Sequence, residues 1–441
     1  MSFSPQQDDA LVKIKEWWND GNPEEQEFLL FGYAGTGKTT LAKELTQLLG
    51  LEMFVDPKSE EEKKENQREG GSQYAAQEAI IYCAFTGKAA LVLRRKGLTS
   101  AYTIHQTIYG RPFIDEMLAD QLREKIEVME ARGGDPDLAS TRRELSKVLQ
   151  PSFSMSTTAS RGSAASLIVV DECSMVTEQL YRDLLSLKKP IIFMGDPAQL
   201  PPVGKSAGLI DRRPNVMLTE IHRQAADNPI LILATSLRQN SALPQIFDPN
   251  LVVTRDQIEP KEMLDFDQVI IGYHNTRRRL NNQMRRLKGF DVLPEGNGEK
   301  LINLKNQHDI GIMNGEMVQL KEVDPKKALY FFQAKLANFE TGDLLISPAG
   351  RETHLVYDGY FYDTEKFQEG RIDRDWRKRQ DSTELDWGYA ITCHKSQGSE
   401  WDTVFIHDDG FGRSEEDRRR WLYTALTRAR SKAMISSRFA I

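Results

Sequence analysis

The run Gly32-Tyr33-Ala34-Gly35-Thr36-Gly37-Lys38-Thr39 puts glycines, one lysine and one hydroxyl in a spacing suited to phosphate. Glycines let the backbone curl until its N–H groups face phosphate oxygens. A helix opening at Lys38 would add the partial positive charge of its N-terminus. Lys38 can then reach the β- and γ-phosphates, and the Thr39 hydroxyl can ligate Mg²⁺. The predicted nucleotide set is Gly32, Ala34, Gly35, Thr36, Gly37, Lys38, Thr39 and Thr40. Far downstream, the apolar strand Leu167 to Val170 ends in Asp171-Glu172. Asp171 can hold the Mg²⁺, and Glu172 can orient or deprotonate an attacking water. Together these residues describe ATP hydrolysis.

Two further segments suit the same reaction. Ile191 to Met194 reads as a strand that ends in Gly195-Asp196-Pro197-Ala198-Gln199, where a glutamine could sense the γ-phosphate. Arg223 and Arg428 are candidates for spreading the charge of a phosphoryl transition state. An isolated arginine is more often a surface ion pair, so residue chemistry alone leaves these two open.

The elements needed to hold such residues are legible. Helices are predicted over Gln6–Asn19, Lys38–Leu49 and Lys88–Lys96, and strands over Glu27–Phe31, Ala79–Ala84, Leu167–Val170 and Ile191–Met194. Strand, loop and helix in succession mark a parallel α/β domain. Phe113–Ala131 and Leu138–Leu149 read as a helical hairpin, and Asp56–Gln73 as a charged, solvated loop. Short apolar runs from Leu301 to Tyr362, broken by Gly, Asn and Pro, predict a small β-barrel insertion. Asn275 is placed to cap a helix that follows the strand Val269–Ile271.

With 441 residues, of which 39% are hydrophobic and 28% charged, the chain is long enough for several globular domains. No run of about 18 apolar residues is present to span a membrane, and the polar start lacks a signal-peptide core. A cytoplasmic setting, bacterial or phage-infected, is expected. Cys83, Cys173 and Cys393 form no metal-ligand spacing and read as small buried residues. The net charge of −7 restricts any nucleic-acid contact to local patches.

The order of motifs resembles the superfamily 1 DNA helicases, within them the RecD-like and Dda-like group. The matching pieces are Phe3 to Gln7, the phosphate loop, Ala84 to Ala90, Thr103-Ile104-His105, Asp171 to Met175, Gly195 to Gln199, Arg223, Ala390 to Glu400, and Tyr423 to Ala429. The resemblance implies two RecA-like lobes with parallel sheets, a helical insertion in lobe one and a small SH3-like barrel in lobe two. The corresponding boundaries are 1–105 and 166–212 for lobe one, 106–165 for its insertion, 213–290 and 383–441 for lobe two, and 291–382 for the barrel. It implies that Gln7 reads adenine, Gln199 senses the γ-phosphate, and Arg223 and Arg428 close on the phosphates. Gly398 and Glu400 would link nucleotide to DNA, and Thr86, Lys88, His105, Thr392, His394 and Lys395 would touch the DNA strand. ATP and Mg²⁺ are the implied cofactors. Single-stranded DNA and its junctions with duplex are the implied partners, with a single-strand-binding protein or replication and recombination proteins as further candidates, and a monomer is expected. Travel from 5′ to 3′ is the direction the resemblance carries. Phe85 stands where the family usually has proline.

Four other readings share parts of this pattern. A translocase that strips proteins from DNA would use the same motor residues. An RNA helicase would need a 2′-hydroxyl reader, which is not evident. A helicase subunit of a nuclease complex is the third, and no clustered nuclease carboxylates stand apart from Asp171 and Glu172. A metabolite kinase would share the phosphate loop but not Gln397-Gly398 and Arg428.

Overall fold

The computed structural model describes residues 3–21, 26–57, 62, 64–66, 74–109, 116–132, 136–148, 159–220, 227–239, 243–290, 297–307, 310–324, 331–347, 349–357, 359–361 and 382–438. They divide into two compact units. One holds residues 1–108, 157–289 and 388–441; the other holds 109–156 and 290–387.

The first unit contains two sheets, called lobe one and lobe two here. In lobe one the strands are β1 (Glu27–Gly32), β2 (Glu52–Met53), β3 (Ala79–Ala84), β4 (Ala101–Thr103), β5 (Leu167–Asp171), β6 (Ile191–Gly195) and β7 (Val216–Leu218). Their order is β2-β3-β5-β6-β1-β7, with β4 also on β3, and all pairs are parallel. Strands β3 and β6 are buried throughout, as expected for a parallel sheet covered on both faces. Because β5, β6 and β1 are neighbours, the turns that leave their carboxyl ends converge. Those turns carry Asp171-Glu172, Asp196 to Gln199 and the phosphate loop. Ligands of open α/β sheets bind at such ends.

Helix α1 (Pro5–Asp20) opens with a capping box in which Ser4 and Gln7 exchange hydrogen bonds. Helix α2 (Lys38–Leu49) follows the phosphate loop, and α3 (Gly87–Arg95) follows β3 with Thr86 as its N-cap.

Lobe two has strands β8 (Ile246–Asp248), β9 (Leu251–Thr254), β10 (Gln268–Ile271), β16 (Ala390–Thr392), β17 (Trp401–Asp408) and β18 (Ala429–Ser437) in the order β16-β10-β17-β18-β9-β8. Only the β8–β9 hairpin is antiparallel. Its core packs Trp421, fully buried, with Leu233, Ile406 and Ile435. Leu200 of lobe one is buried in the same core.

In the second unit, helices Glu116–Arg132 and Leu138–Val148 pack through Ala119, Leu122, Ile126 and Leu145. Strands β11 (Lys300–Asn303), β12 (Met317–Val323), β13 (Phe331–Asn338), β14 (Thr353–Tyr357) and β15 (Thr383–Trp387) close into a barrel around Leu320, Phe332, Val356 and Trp387.

Several expectations are corrected. Val216–Leu218 pairs with β1, so lobe one runs past the boundary expected at 213. Thr383–Trp387 is the last barrel strand, so the barrel runs past 382. Residues 104–108 are a short helix beside the helix Arg161–Ala164, where a Cβ added at Gly162 would stand 3.2 Å from the Thr107 carbonyl oxygen; both belong to the first unit, so the insertion is narrower than the expected 106–165. The helix after β10 starts at His274, so Asn275 lies inside it and makes no cap. Asp409 accepts instead from the N–H groups of Gly272 and Tyr273. Most of the charged loop 57–73 lies outside the described residues.

Candidate functional site

Gly35 and Gly37 hold φ of +80° and +81°, conformations that L side chains rarely adopt, and they curl the chain between β1 and α2. The Lys38 ammonium folds back onto the loop, donating to the carbonyl oxygens of Gly32 at 2.5 Å and Tyr33 at 3.2 Å. Gln7 is buried and donates from Nε2 to the Thr36 carbonyl at 3.1 Å, while its Oε1 accepts from Ser4. Its carboxamide thus ties α1 to the loop.

Asp171 and Glu172 are half-buried. Burial pushes both carboxyls up; Lys38 opposes the shift at Asp171, and the Asp171 charge adds to it at Glu172. Arg428 and Lys38 partly offset the shift at Glu172. The backbone of Glu172 is left-handed, with φ of 53°, and its N–H donates to Asp171 Oδ1 at 2.9 Å. A carboxylate pair short of solvent, with lysine and arginine charges acting on it, suits a cation between carboxylate and phosphate. Among the described residues no group of three or more His, Cys, Asp or Glu gathers into a separate metal site.

Gln199 is buried with Oε1 unpartnered. Arg428 is also buried. Its guanidinium donates to Thr424 O, Ser399 O and Thr427 Oγ1 at 3.0–3.4 Å. Arg223 lies outside the described residues. Three groups beyond the predicted set belong here. Tyr423 Oη donates to buried Asp196 at 2.6 Å and accepts from Ala34 N at 3.1 Å, which joins the helix Glu415–Leu426 to the phosphate loop. Burial, then the Asp196 charge, keeps the Tyr423 hydroxyl protonated far above its ordinary range. Gln397 donates to Leu200 O, and Thr424 Oγ1 accepts from Leu200 N.

The DNA candidates divide. His105 and His394 are half-buried, and burial lowers both imidazoles, with His274 adding to the effect at His394. His105 packs on the edge of Phe85, whose ring lies 6.4 Å away. Lys395 and Glu400 are exposed. Thr392 is buried, and the Thr86 hydroxyl accepts from Ala89 N as a helix cap. Lys88 is 6% exposed, and its ammonium sits 5.1 Å from the centre of the Trp401 ring. A buried ammonium over an aromatic face is a lobe-to-lobe contact. The residues His274 to Lys288, by contrast, carry five arginines, a histidine and a lysine with no carboxylate. Arg279 and Arg286 are exposed there without an ion-pair partner among the described residues. The signal for them was the composition of that one helix.

Comparison with known families settles the classification. An AAA domain profile matches residues 22–248, more than half of the chain, and a UvrD-like helicase C-terminal domain profile matches 388–436. The chain belongs to the AAA-domain family and carries a UvrD-like helicase C-terminal domain after it. It is 29% identical to the ATP-dependent RecD2 DNA helicase of Deinococcus radiodurans over 286 residues, covering 60% of this chain and 35% of that protein. It is 27% identical to an uncharacterised protein of Acanthamoeba polyphaga mimivirus over 47% of this chain and 35% of that one. The chain thus spans about a third of the length of these curated relatives. Among solved structures it is similar to the Pif1 helicase of Candida albicans, at 16% identity and a TM-score of 0.48, with 99% of this chain and 94% of that one covered. Among the described residues no helix is long and apolar enough to cross a membrane.

Proposed function

We propose that the protein is an ATP-hydrolysing DNA helicase that moves along single-stranded DNA from 5′ to 3′ and unwinds duplex. One observation carries the reading: the phosphate loop of lobe one meets groups from both lobes at a single place. Lobe one brings Lys38, Thr39, Asp171, Glu172 and Gln199; lobe two brings Tyr423 against the loop and Arg428 within electrostatic reach of Glu172. Catalysis shared between lobes makes hydrolysis depend on their arrangement, which is what a motor requires.

In this reading Lys38 binds the outer phosphates and Glu172 takes the proton of the attacking water. Its raised pKa favours that role, because a base works best near the operating pH. Gln199 orients the water through its unpartnered oxygen. Arg428 and Arg223 stabilise the transition state, and the adenine lies beside Gln7. Mg²⁺ would be held by Thr39 and Asp171 and would neutralise charge on the phosphate oxygens. Thr86, His105, Thr392, His394, Lys395 and the basic helix form the DNA track. Gly398 and Glu400 couple it to the nucleotide. We further read the barrel as SH3-like and the 116–148 helices as the strand-separating insertion. The direction of travel rests on the RecD-like resemblance.

The test is ATP-dependent unwinding of two duplexes, one with a 5′ and one with a 3′ single-stranded tail. Unwinding from the 5′ tail alone is expected, and Lys38→Ala should abolish it. DNA-stimulated hydrolysis with neither duplex unwound would replace the helicase reading with a translocase.

A further inference from the structure

Lobe two holds the phosphate loop at two adjacent residues. Arg238, the last residue of the helix Pro229–Arg238, lays its guanidinium on the Tyr33 ring with Cζ 3.3 Å from the ring centre. One residue further, the Ala34 N–H donates to Tyr423. The two non-glycine residues between Gly32 and Gly35 are therefore both gripped from the opposite lobe. Arg238 Nε is buried and has no acceptor among the described residues. No carboxylate pairs with this guanidinium there; an aromatic face positions it. Its charge also reaches Tyr423. Arg428 differs, because three hydrogen bonds tie its guanidinium to lobe two.

We propose that Arg238 is a positioning residue of the nucleotide site: from lobe two it braces the phosphate loop through Tyr33 and so sets how tightly the loop holds a nucleoside triphosphate. The inference rests on the ATPase reading above. Tyr33 is the second residue of the loop, ahead of the Gly35–Thr39 turn. A ring pinned by a cation restricts the loop's entry, which lowers the ordering cost of binding phosphate. The brace crosses between the lobes, so any shift of Arg238 against β1 is felt by the loop. It is expected to act on affinity and to leave the chemical step nearly untouched.

The test is steady-state ATP hydrolysis by the full chain, with Arg238→Met, Arg238→Lys, Tyr33→Leu and Tyr33→Phe beside the parent. Losing a partly desolvated cation–ring contact predicts a KM for ATP raised about fivefold in Arg238→Met and Tyr33→Leu, with kcat within about twofold. Tyr33→Phe keeps the ring and should stay near the parent, whereas Arg238→Lys keeps the charge but loses the flat stacking face, so its KM should fall between the parent and Arg238→Met. The double variant Arg238→Met/Tyr33→Leu should be no worse than either single change, because each already breaks the same contact. A thermal melt establishes folding; if Arg238→Met melts early, Tyr33→Leu carries the comparison. With an active parent, an unchanged KM in the two disruptive variants overturns the brace. A fall in kcat at constant KM also overturns it and assigns Arg238 to the chemistry. A parent that hydrolyses no ATP removes the reading on which the brace stands, and the brace with it.

Discussion

Gly398 of lobe two faces Ala89 of lobe one, and the cost of a side chain there can be worked from the geometry. Its φ is +72°, and an added Cβ would stand 2.8 Å from Ala89 Cβ and 3.5 Å from Ala89 Cα and Thr86 Oγ1. Gly398→Ala therefore carries two costs. Left-handed backbone with a Cβ costs roughly 1–2 kcal/mol. Forcing one methyl into another on fixed backbone adds roughly 1–3 kcal/mol. The sum, about 2–5 kcal/mol, is a large part of the total stability of a typical domain. Separating the lobes would relieve the second cost but not the first. The assay is urea unfolding followed by tryptophan emission for Gly398→Ala, Ala89→Gly and the double variant. Ala89→Gly alone should cost about 1 kcal/mol, because the residue lies within α3. The double variant should be more stable than the sum of the singles by roughly 1–3 kcal/mol, since the clash disappears. Additive single effects would refute the lobe-to-lobe contact, and a Gly398→Ala protein as stable as the parent would refute both costs.

Further expectations concern the same surfaces. Tyr423→Phe removes the hydroxyl from buried Asp196, leaving Ala198 N as the remaining partner named for that carboxylate, and should cost roughly 1–3 kcal/mol by thermal melt while lowering ATP hydrolysis. Glu172→Gln should raise stability at pH 7 while abolishing hydrolysis. A carboxyl whose folded pKa is raised binds its proton more tightly in the native than in the unfolded state, so it costs stability once the pH exceeds its unfolded pKa. Melts of parent and variant should therefore converge at acidic pH and separate as the pH rises; the opposite trend would contradict the burial of Glu172. Arg279→Ala with Arg286→Ala should reduce the slope of log K for single-stranded DNA against log salt by about 1.4, since each phosphate contact contributes about 0.7. Lys88→Met should leave that slope unchanged and alter Trp401 emission, because its ammonium faces that ring.

The parts of the site that were legible in sequence are those written in contiguous residues. The phosphate loop fixes its own chemistry because glycine freedom, the lysine and the hydroxyl lie within one turn, and the strand and helix flanking it are strong local patterns. The same holds for Asp171-Glu172 at the end of an apolar strand. The strands β3, β5 and β6 were predicted at nearly their observed limits, since buried parallel strands read as continuous apolar runs. Short β7 and β15 were misassigned, because three to five residues carry too little periodicity to name their partners.

Tertiary structure decided what sits opposite what. Tyr423 reaches Ala34 across 389 positions, and no local pattern specifies such a pairing. The resemblance placed Lys88 at the DNA strand, and only the fold shows that its ammonium also lies over the Trp401 ring. Asn275 had the composition of a cap, yet the helix begins two residues earlier than such a cap requires, and the Asp409 carboxylate, from a neighbouring strand's exit, accepts from the N–H groups of Gly272 and Tyr273 instead. Sequence thus determined the phosphate chemistry, because glycine dihedrals and side-chain reach are local properties. The fold alone determined which charges are screened, buried or matched, because those depend on groups brought together from distant parts of the chain.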